Sequence, residues 1–276
     1  MFSASRFAAA AAIFLCLAGV APPAAAQTFD ERLSSEMRWR MIGPFRGGRT
    51  VAVSGVPGQQ NVFYMAPNNG GVWKSTDYGR VWTPIFDDQP TGSIGAIAVA
   101  PSDSNVIYVG SGEGLQRPDL SVGDGVYKSV DAGKTWRPLG LSDGRQIAAI
   151  LVDPRDARRV FVAVLGHPYG GNAERGVFRS THGGETWQRV LYKDEDTGAV
   201  DLALDPGDPQ KIYAVLWAGR QGPWEYGNEY RGPGSGLFVS SDGGTTWRPL
   251  TKGLPSAAQG LGRIGIGIAP SDGRRM

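Results

Sequence analysis

Three glycine- and proline-rich stretches hold most of the side chains able to do chemistry in this chain of 276 residues. GEGLQRPDLSVGD at 112 to 124 carries Glu113, Arg117 and Asp119, and LGHPYGGNAER at 165 to 175 carries His167, Tyr169, Glu174 and Arg175. AGRQGPWEYGNEYRGPGSG at 218 to 236 adds Arg220, Trp224, Tyr226, Glu229, Tyr230 and Arg231. Aromatic rings beside guanidinium groups and carboxylates suit the stacking of a sugar or the capture of a peptide. Asp87, Asp88, Asp143, Asp194, Glu195 and Asp196 lie in other turns of the chain. Any two carboxylates held roughly 5 to 10 Å apart could act as acid and base on a glycosidic bond. Against this stands a plain alternative, in which the third stretch packs its aromatics on its own proline and glycine turns. With 2 histidines and 1 cysteine the chain offers no zinc set, so neither metal nor cofactor is expected.

Stretches of that length need a scaffold, and the scaffold is written as a repeat. The phrase Ser-x-(Asp/His)-x-Gly-x-(Val/Thr)-Trp occurs as STDYGRVW, SVDAGKTW, STHGGETW and SSDGGTTW, ending at Trp82, Trp136, Trp187 and Trp247. Such a spacing is near the size of one four-stranded propeller blade. In the second copy the alternation of small and branched residues predicts strands over Ile94 to Ala100, Val106 to Val109, Val126 to Ser129 and Thr135 to Leu139. A second landmark keeps step with the first, since turns anchored on Pro57, Pro101, Pro154, Pro206 and Pro270 follow each first strand.

Within the phrase each position has a structural task. Asp77, Asp131 and Asp242 can accept hydrogen bonds from amides a few residues on, and His182 replaces the aspartate in the third copy. Gly79, Gly133, Gly184 and Gly244 can supply a positive φ. The tryptophan is expected to wedge against the neighbouring sheet. These aspartates and tryptophans are therefore read as turn and packing residues rather than as catalytic acids or calcium ligands.

The phrase is similar to the Asp-box, or BNR repeat, of sialidases, xyloglucanase-type glycoside hydrolases, sortilin-type receptor domains and a photosystem assembly factor. From about residue 37 to 276 the chain resembles the sortilin-type propeller group and bacterial secreted relatives described as glycosyl hydrolase-like. That resemblance implies an all-β propeller of four-stranded antiparallel blades. For the xyloglucanase type it also implies a catalytic aspartate in a segment similar to YMAPNNGGVWK, where this chain has Asn68-Asn69-Gly70-Gly71. An asparagine amide does not titrate in the useful range and cannot be a general base. Pro44-Phe45-Arg46-Gly47-Gly48-Arg49 only echoes the Phe-Arg-Ile-Pro segment of a sialidase.

The expected organisation is a signal peptide over 1 to 26, a lead-in over 27 to 36, and a propeller over 37 to 276. Blades are expected at about 50–86, 93–140, 146–192 and 198–251, with a fifth begun at 262–276. Arg38 to Gly43 reads as a further fourth strand, so the ring is expected to be incomplete and to need C-terminal blades of the same propeller. Met1 to Arg6, the apolar run Phe7 to Val20 and Ala24-Ala25-Ala26 form a secretory pattern with cleavage near Gln27, and a secreted or periplasmic location follows. With a formal charge of +2 and no basic run no nucleic-acid partner is expected, and after cleavage no membrane segment is expected.

Meander geometry puts the strand 2–3 connections and the links from strand 4 to the next blade on one face, opposite the Asp-box hairpins. All three long stretches fall on that first face. The ligand-binding candidates are Glu113, Arg117, Asp119, His167, Tyr169, Arg175, Arg220, Trp224, Tyr226, Tyr230, Arg231 and Asp88. The function expected is a binding or interaction module of sortilin type, taking a peptide, protein or glycan on this face. A glycoside hydrolase of the xyloglucanase type is the alternative, with a sialidase behind it.

Overall fold

A computed structural model describes residues 49–117 and 120–276, all within the compact unit Gly47–Met276. The expected signal peptide and lead-in, the segment Arg38 to Gly43, the arginine at position 46 and Asp119 lie outside the described residues. The rest is all-β, as the repeat predicts.

Blade 1 holds β1 (Thr50–Val56), β2 (Gln59–Pro67), β3 (Trp73–Ser75) and β4 (Thr83–Pro84). Blade 2 holds β5 (Ile94–Val99), β6 (Ile107–Ser111), β7 (Val126–Ser129) and β8 (Arg137–Pro138). Blade 3 follows with β9 (Ile147–Asp153), β10 (Asp156–Val164), β11 (Gly176–Ser180) and β12 (Gln188–Leu191). Blade 4 has β13 (Gly198–Leu204), β14 (Ile212–Trp217), β15 (Gly236–Ser240) and β16 (Arg248–Leu250). Each is a separate four-stranded sheet whose neighbours in sequence pair antiparallel. The first strands β1, β5, β9 and β13 lie side by side from blade to blade, which is the propeller arrangement. The fourth strands are only two to four residues long because each ends where its chain must cross to the next blade.

The core lies between the sheets. Val62, Tyr64, Ile94, Ile107 and Tyr127 fill the space between blades 1 and 2. Val106, Tyr108, Val126, Val160, Val162 and Phe178 fill the next, and Phe161, Val177, Ile212, Leu216 and Phe238 the third. Each such side chain contributes about 1.5–3 kcal/mol of transfer free energy. Between blades 1 and 2 the rings also meet edge to face, with Phe86 at 5.2 Å from Tyr127 and 5.1 Å from Trp136.

The Asp-box tryptophans bolt one blade to the last. Trp136 Nε1 donates to the Ile85 carbonyl and Trp187 Nε1 to the Leu139 carbonyl, each at 2.7 Å. In both cases the acceptor stands three residues after the tryptophan of the preceding blade. Trp247 packs in the third core but donates to its own hairpin at Gly244, 3.2 Å away. Trp82 departs from the expected wedge, because no blade precedes blade 1 among the described residues. Its indole donates to the Gly79 carbonyl at 3.0 Å, and its ring lines a cleft of about 520 Å³ with Val53, Phe63 and Tyr78.

The Asp-box glycines all have positive φ, between 81° at Gly79 and 90° at Gly184. Their second constraint was not legible in the repeat. A Cβ at Gly184 would lie 2.3 Å from Leu139 Cδ1, and one at Gly244 2.7 Å from Phe161 Cε1, so the hairpin rides directly on the blade before it.

After blade 4 the chain turns back over its far side. Ile264, Ile266 and Ile268 pack against Tyr213, Val215, Trp217 and Val239, and Ile266 N donates to Asp201 Oδ2 at 2.8 Å. This is the alternation expected of a first strand, but these residues join no ladder among the described residues. The following turn closes with Ala269 N donating to the Arg275 carbonyl at 3.0 Å.

Candidate functional site

The loop face is assembled by contacts between blades. Arg117, in the strand 2–3 connection of blade 2, donates to Asn68 Oδ1 of blade 1 at 3.2 Å and to Glu113 Oε1 at 3.1 Å. Gln116 of the same connection donates to the Arg220 carbonyl in blade 4. Arg220 in turn pairs with Asp196, in the link between blades 3 and 4. His167 Nε2 lies 2.9 Å from Asp143 Oδ1, joining the long connection of blade 3 to the link before it. Gln221 N donates to the Pro168 carbonyl at 2.8 Å, so the connections of blades 3 and 4 are also tied. Strand 2–3 connections and interblade links therefore do share one face.

These bonds sort the candidate residues by what they are occupied with. Glu113 is fully buried, at 0 % exposure, and is held by Arg117. Arg175 is also at 0 % and, among the described residues, hydrogen-bonds to no carboxylate. Its guanidinium instead donates to the carbonyls of Leu165 at 2.7 Å, His167 at 2.5 Å and Gly170 at 2.7 Å. Burial, with the nearby charge of Arg220, pulls its pKa down to about 10. Arg175 is thus the nucleus around which residues 165 to 175 fold, and Asn172 completes that loop by donating to the Asp143 carbonyl at 2.7 Å. Tyr169 and Asp88 are exposed and stand apart from the cleft described next.

That cleft, of about 1130 Å³, opens between the connections of blades 2 and 4 and the segment after blade 4. Leu115 and Gln116 form one side, Asn228 to Arg231 the other, and Gly260, Gly262 and Arg263 close the end. Trp217, the last residue of β14, is 3 % exposed and forms the floor, and its Nε1 donates to the Tyr230 carbonyl at 2.8 Å. The wall is braced from within. Arg220 and Glu229 exchange backbone hydrogen bonds of 2.9 and 2.8 Å, Gly222 N donates to Asn228 Oδ1 at 2.7 Å, and Asn228 Nδ2 donates to Tyr230 Oη at 2.9 Å. The plain alternative of a self-packed loop therefore holds for its backbone but not for its rings. Trp224 is 90 % exposed, Tyr226 83 % and Tyr230 58 %.

Of the candidates read from sequence, the structure brings Tyr230 and Arg231 into the cleft. Glu113, Arg117, Arg175, His167 and Arg220 serve as ties behind or beside it, and Asp119 is outside the described residues. Sequence reasoning missed Trp217, Gln116, Asn228 and Arg263. Trp217 closes a strand of wholly buried apolar residues, Tyr213 among them, and reads as core. Arg263 precedes an apolar alternation with no loop signal, although its position after the fourth Asp-box places it on the same face.

Residues 124–257 match the family model Sortilin-Vps10 (sortilin, neurotensin receptor 3). A xyloglucanase of Acetivibrio thermocellus, Xgh74A, is 24 % identical over 238 residues, which are 74 % of this chain and 25 % of that one. The vacuolar protein sorting/targeting protein 10 of Mycosarcoma maydis is 30 % identical over 89 residues, 32 % of this chain and 5 % of the relative. Among solved structures, an ancestral GH74 enzyme superposes with a TM-score of 0.56 at 22 % identity, covering 76 % of this chain and 26 % of that chain. The chain spans about a quarter of the length of the xyloglucanases it matches. Four Asp-boxes, four antiparallel four-stranded blades and the superposition on a propeller enzyme give the described residues an Asp-box β-propeller fold, within which residues 124–257 are similar to the Sortilin-Vps10 family model.

Proposed function

We propose that the chain is a binding module that captures a peptide, protein or glycan in the cleft on the loop face, as part of a larger propeller whose further blades lie in the same protein. The observation that carries this reading is the cleft itself, with Trp217 as floor, Tyr230 exposed on a braced wall and Trp224 and Tyr226 raised on the same loop. The secretory pattern of residues 1 to 26 supports action outside the cytoplasm, in the periplasm or medium.

Hydrolysis of a glycan is the second reading, and the xyloglucanase relatives are what favour it. The carboxylates of this face argue for binding instead. Glu113 is buried against Arg117, Asp196 is paired with Arg220, Asp143 lies against His167, and Asn68 occupies the place where the xyloglucanase resemblance calls for an acid. The two readings separate in one experiment on the full chain, in which xyloglucan oligosaccharides and a peptide library are tested for binding and the glycans for new reducing ends. Binding without bond cleavage, weakened about tenfold by Tyr230→Ala through loss of ring contact, is the expected outcome. Release of reducing ends would establish the hydrolase.

A further inference from the structure

Five arginines stand in or around the cleft, and their partners divide them. Arg117 is bonded to Glu113 and Asn68, Arg175 to three carbonyls of its own loop, and Arg220 to Asp196. Arg231 and Arg263 are in no ion pair among the described residues, and both line the cleft. Arg263 lies over the Trp217 ring, 5.9 Å from its centroid, and Arg231 rests against Gly260. The guanidinium of Arg263 thus stands over the floor within cation–π range, on an exposed side chain with N–H donors to offer a ligand. Among the described residues Glu229 is the sole carboxylate of the lining, against the two guanidinium groups of Arg231 and Arg263.

On the wall formed by blade 4 much of the main chain is already committed. The amide and carbonyl of Glu229 are bonded to Arg220, and the Tyr230 carbonyl to the Trp217 indole. A peptide adding as a strand would find these backbone groups taken, and recognition falls to side chains, namely aromatic faces and two planar guanidinium forks. A pyranose ring offers a flat C–H face to an aromatic ring, and a carboxylate on such a ring matches the guanidinium fork in pairs of hydrogen bonds.

We propose that the cleft binds a carboxylated saccharide, a uronate-bearing oligosaccharide, with Arg231 and Arg263 holding its carboxylates and Tyr230 stacking on a ring. The proposal rests on the binding role given above and adds its ligand class.

Titration calorimetry of the full chain with trigalacturonate, a neutral xyloglucan heptasaccharide and hexaglutamate tests it. Trigalacturonate is expected to bind about tenfold or more tightly than the neutral sugar, to lose about tenfold on Arg263→Gln or Arg231→Gln, and to weaken as salt is raised. Both side chains are exposed and in no ion pair among the described residues, so the thermal midpoint of either variant should stay close to that of the parent. Equal or tighter binding of the neutral sugar, lost on Tyr230→Ala and indifferent to the arginine changes, would leave the cleft as a binding site and overturn its charge selectivity. Preference for hexaglutamate over trigalacturonate would overturn the saccharide assignment. No binding of any of the three would remove the uronate proposal, while binding of other peptides in the library would still support the module.

Discussion

At the scale of single residues the Asp-box is a machine for satisfying amides. Asp131 Oδ1 accepts from Lys134 N at 3.0 Å and Thr135 N at 2.9 Å, Oδ2 accepts from Thr135 Oγ1 at 2.6 Å, and Ser129 Oγ donates to Oδ1 at 2.7 Å. Asp242 repeats this set with Thr245, Thr246 and Ser240. In the third copy His182 bonds only to the neighbouring Thr181 hydroxyl through its ring, at 3.3 Å, and the amides of Glu185 and Thr186 have no carboxylate to donate to. The serine of that copy still works, because Ser180 Oγ accepts from Gly184 N at 2.9 Å, and this is why the turn keeps its shape. His182→Asp should therefore add the missing acceptor and stabilise the chain by about 1 kcal/mol, read as a shift of the urea midpoint at unchanged slope. A destabilised variant would mean that the hairpin of blade 3 has settled in a geometry the carboxylate cannot use.

At the scale of elements, a second set of links was hidden in the sequence. The cation in the third strand of blades 1, 2 and 3 reaches the Asp-box of the next. Lys74 Nζ donates to the Ala132 carbonyl at 3.0 Å, Lys128 Nζ to Gly183 at 3.1 Å and Arg179 to Gly243 at 2.8 Å. Each acceptor residue has positive φ, 60° at Ala132 and 71° at both Gly183 and Gly243. The lysines also lie over the ring of a second-strand tyrosine, 5.5 Å from Tyr64 and 5.2 Å from Tyr108. Blade 4 has Val239 at the corresponding place, where the chain after it covers the sheet with isoleucines instead. Lys128→Met keeps the length of the side chain and removes the donor, so it should cost about 1–2 kcal/mol in urea unfolding, because the Gly183 carbonyl is left without its partner. The repeat made the blades and the turn aspartates legible, since period, proline turns and Ser-x-Asp spacing are all local. Interblade bonds are not local. Lys128 looks like any solvated strand lysine until its neighbour 55 residues away is known, and the cleft suffers from the same limit. Tyr230 and Arg231 announce themselves in a long aromatic loop, whereas Trp217 and Arg263 become site residues only when blade 4 and the chain after it are folded together.

At the scale of the whole molecule, the Asp-box carboxylates act in parallel and tie stability to pH. Hydrogen bonds from Thr135 and Ser129 draw the Asp131 carboxyl down to about 2 from an ordinary 3.8. The amide of Val81, with the Ser75 hydroxyl, lowers Asp77, and the hydroxyl and amide of Thr246 lower Asp242. Asp156 and Asp205, in or beside the turns between first and second strands, are lowered by Arg158 and Lys211. A carboxylate whose pKa is lower in the folded chain than in the unfolded one is the better proton acceptor when unfolded. Its contribution is therefore complete above the unfolded value near 4 and disappears as pH falls through the folded value. Because these carboxylates serve blades 1 to 4, their protonation loosens every blade rather than one edge. The thermal midpoint should be level from about pH 7 to 5, begin to fall near pH 4 and fall steeply toward pH 2. Replacing one carboxylate isolates its share. In Asp131→Asn the amide keeps one acceptor oxygen and cannot titrate, so the variant should be less stable than the parent at neutral pH and show a shallower decline between pH 4 and 2. Parallel curves for parent and variant across that interval would show that Asp131 is not among the groups whose protonation unfolds the molecule.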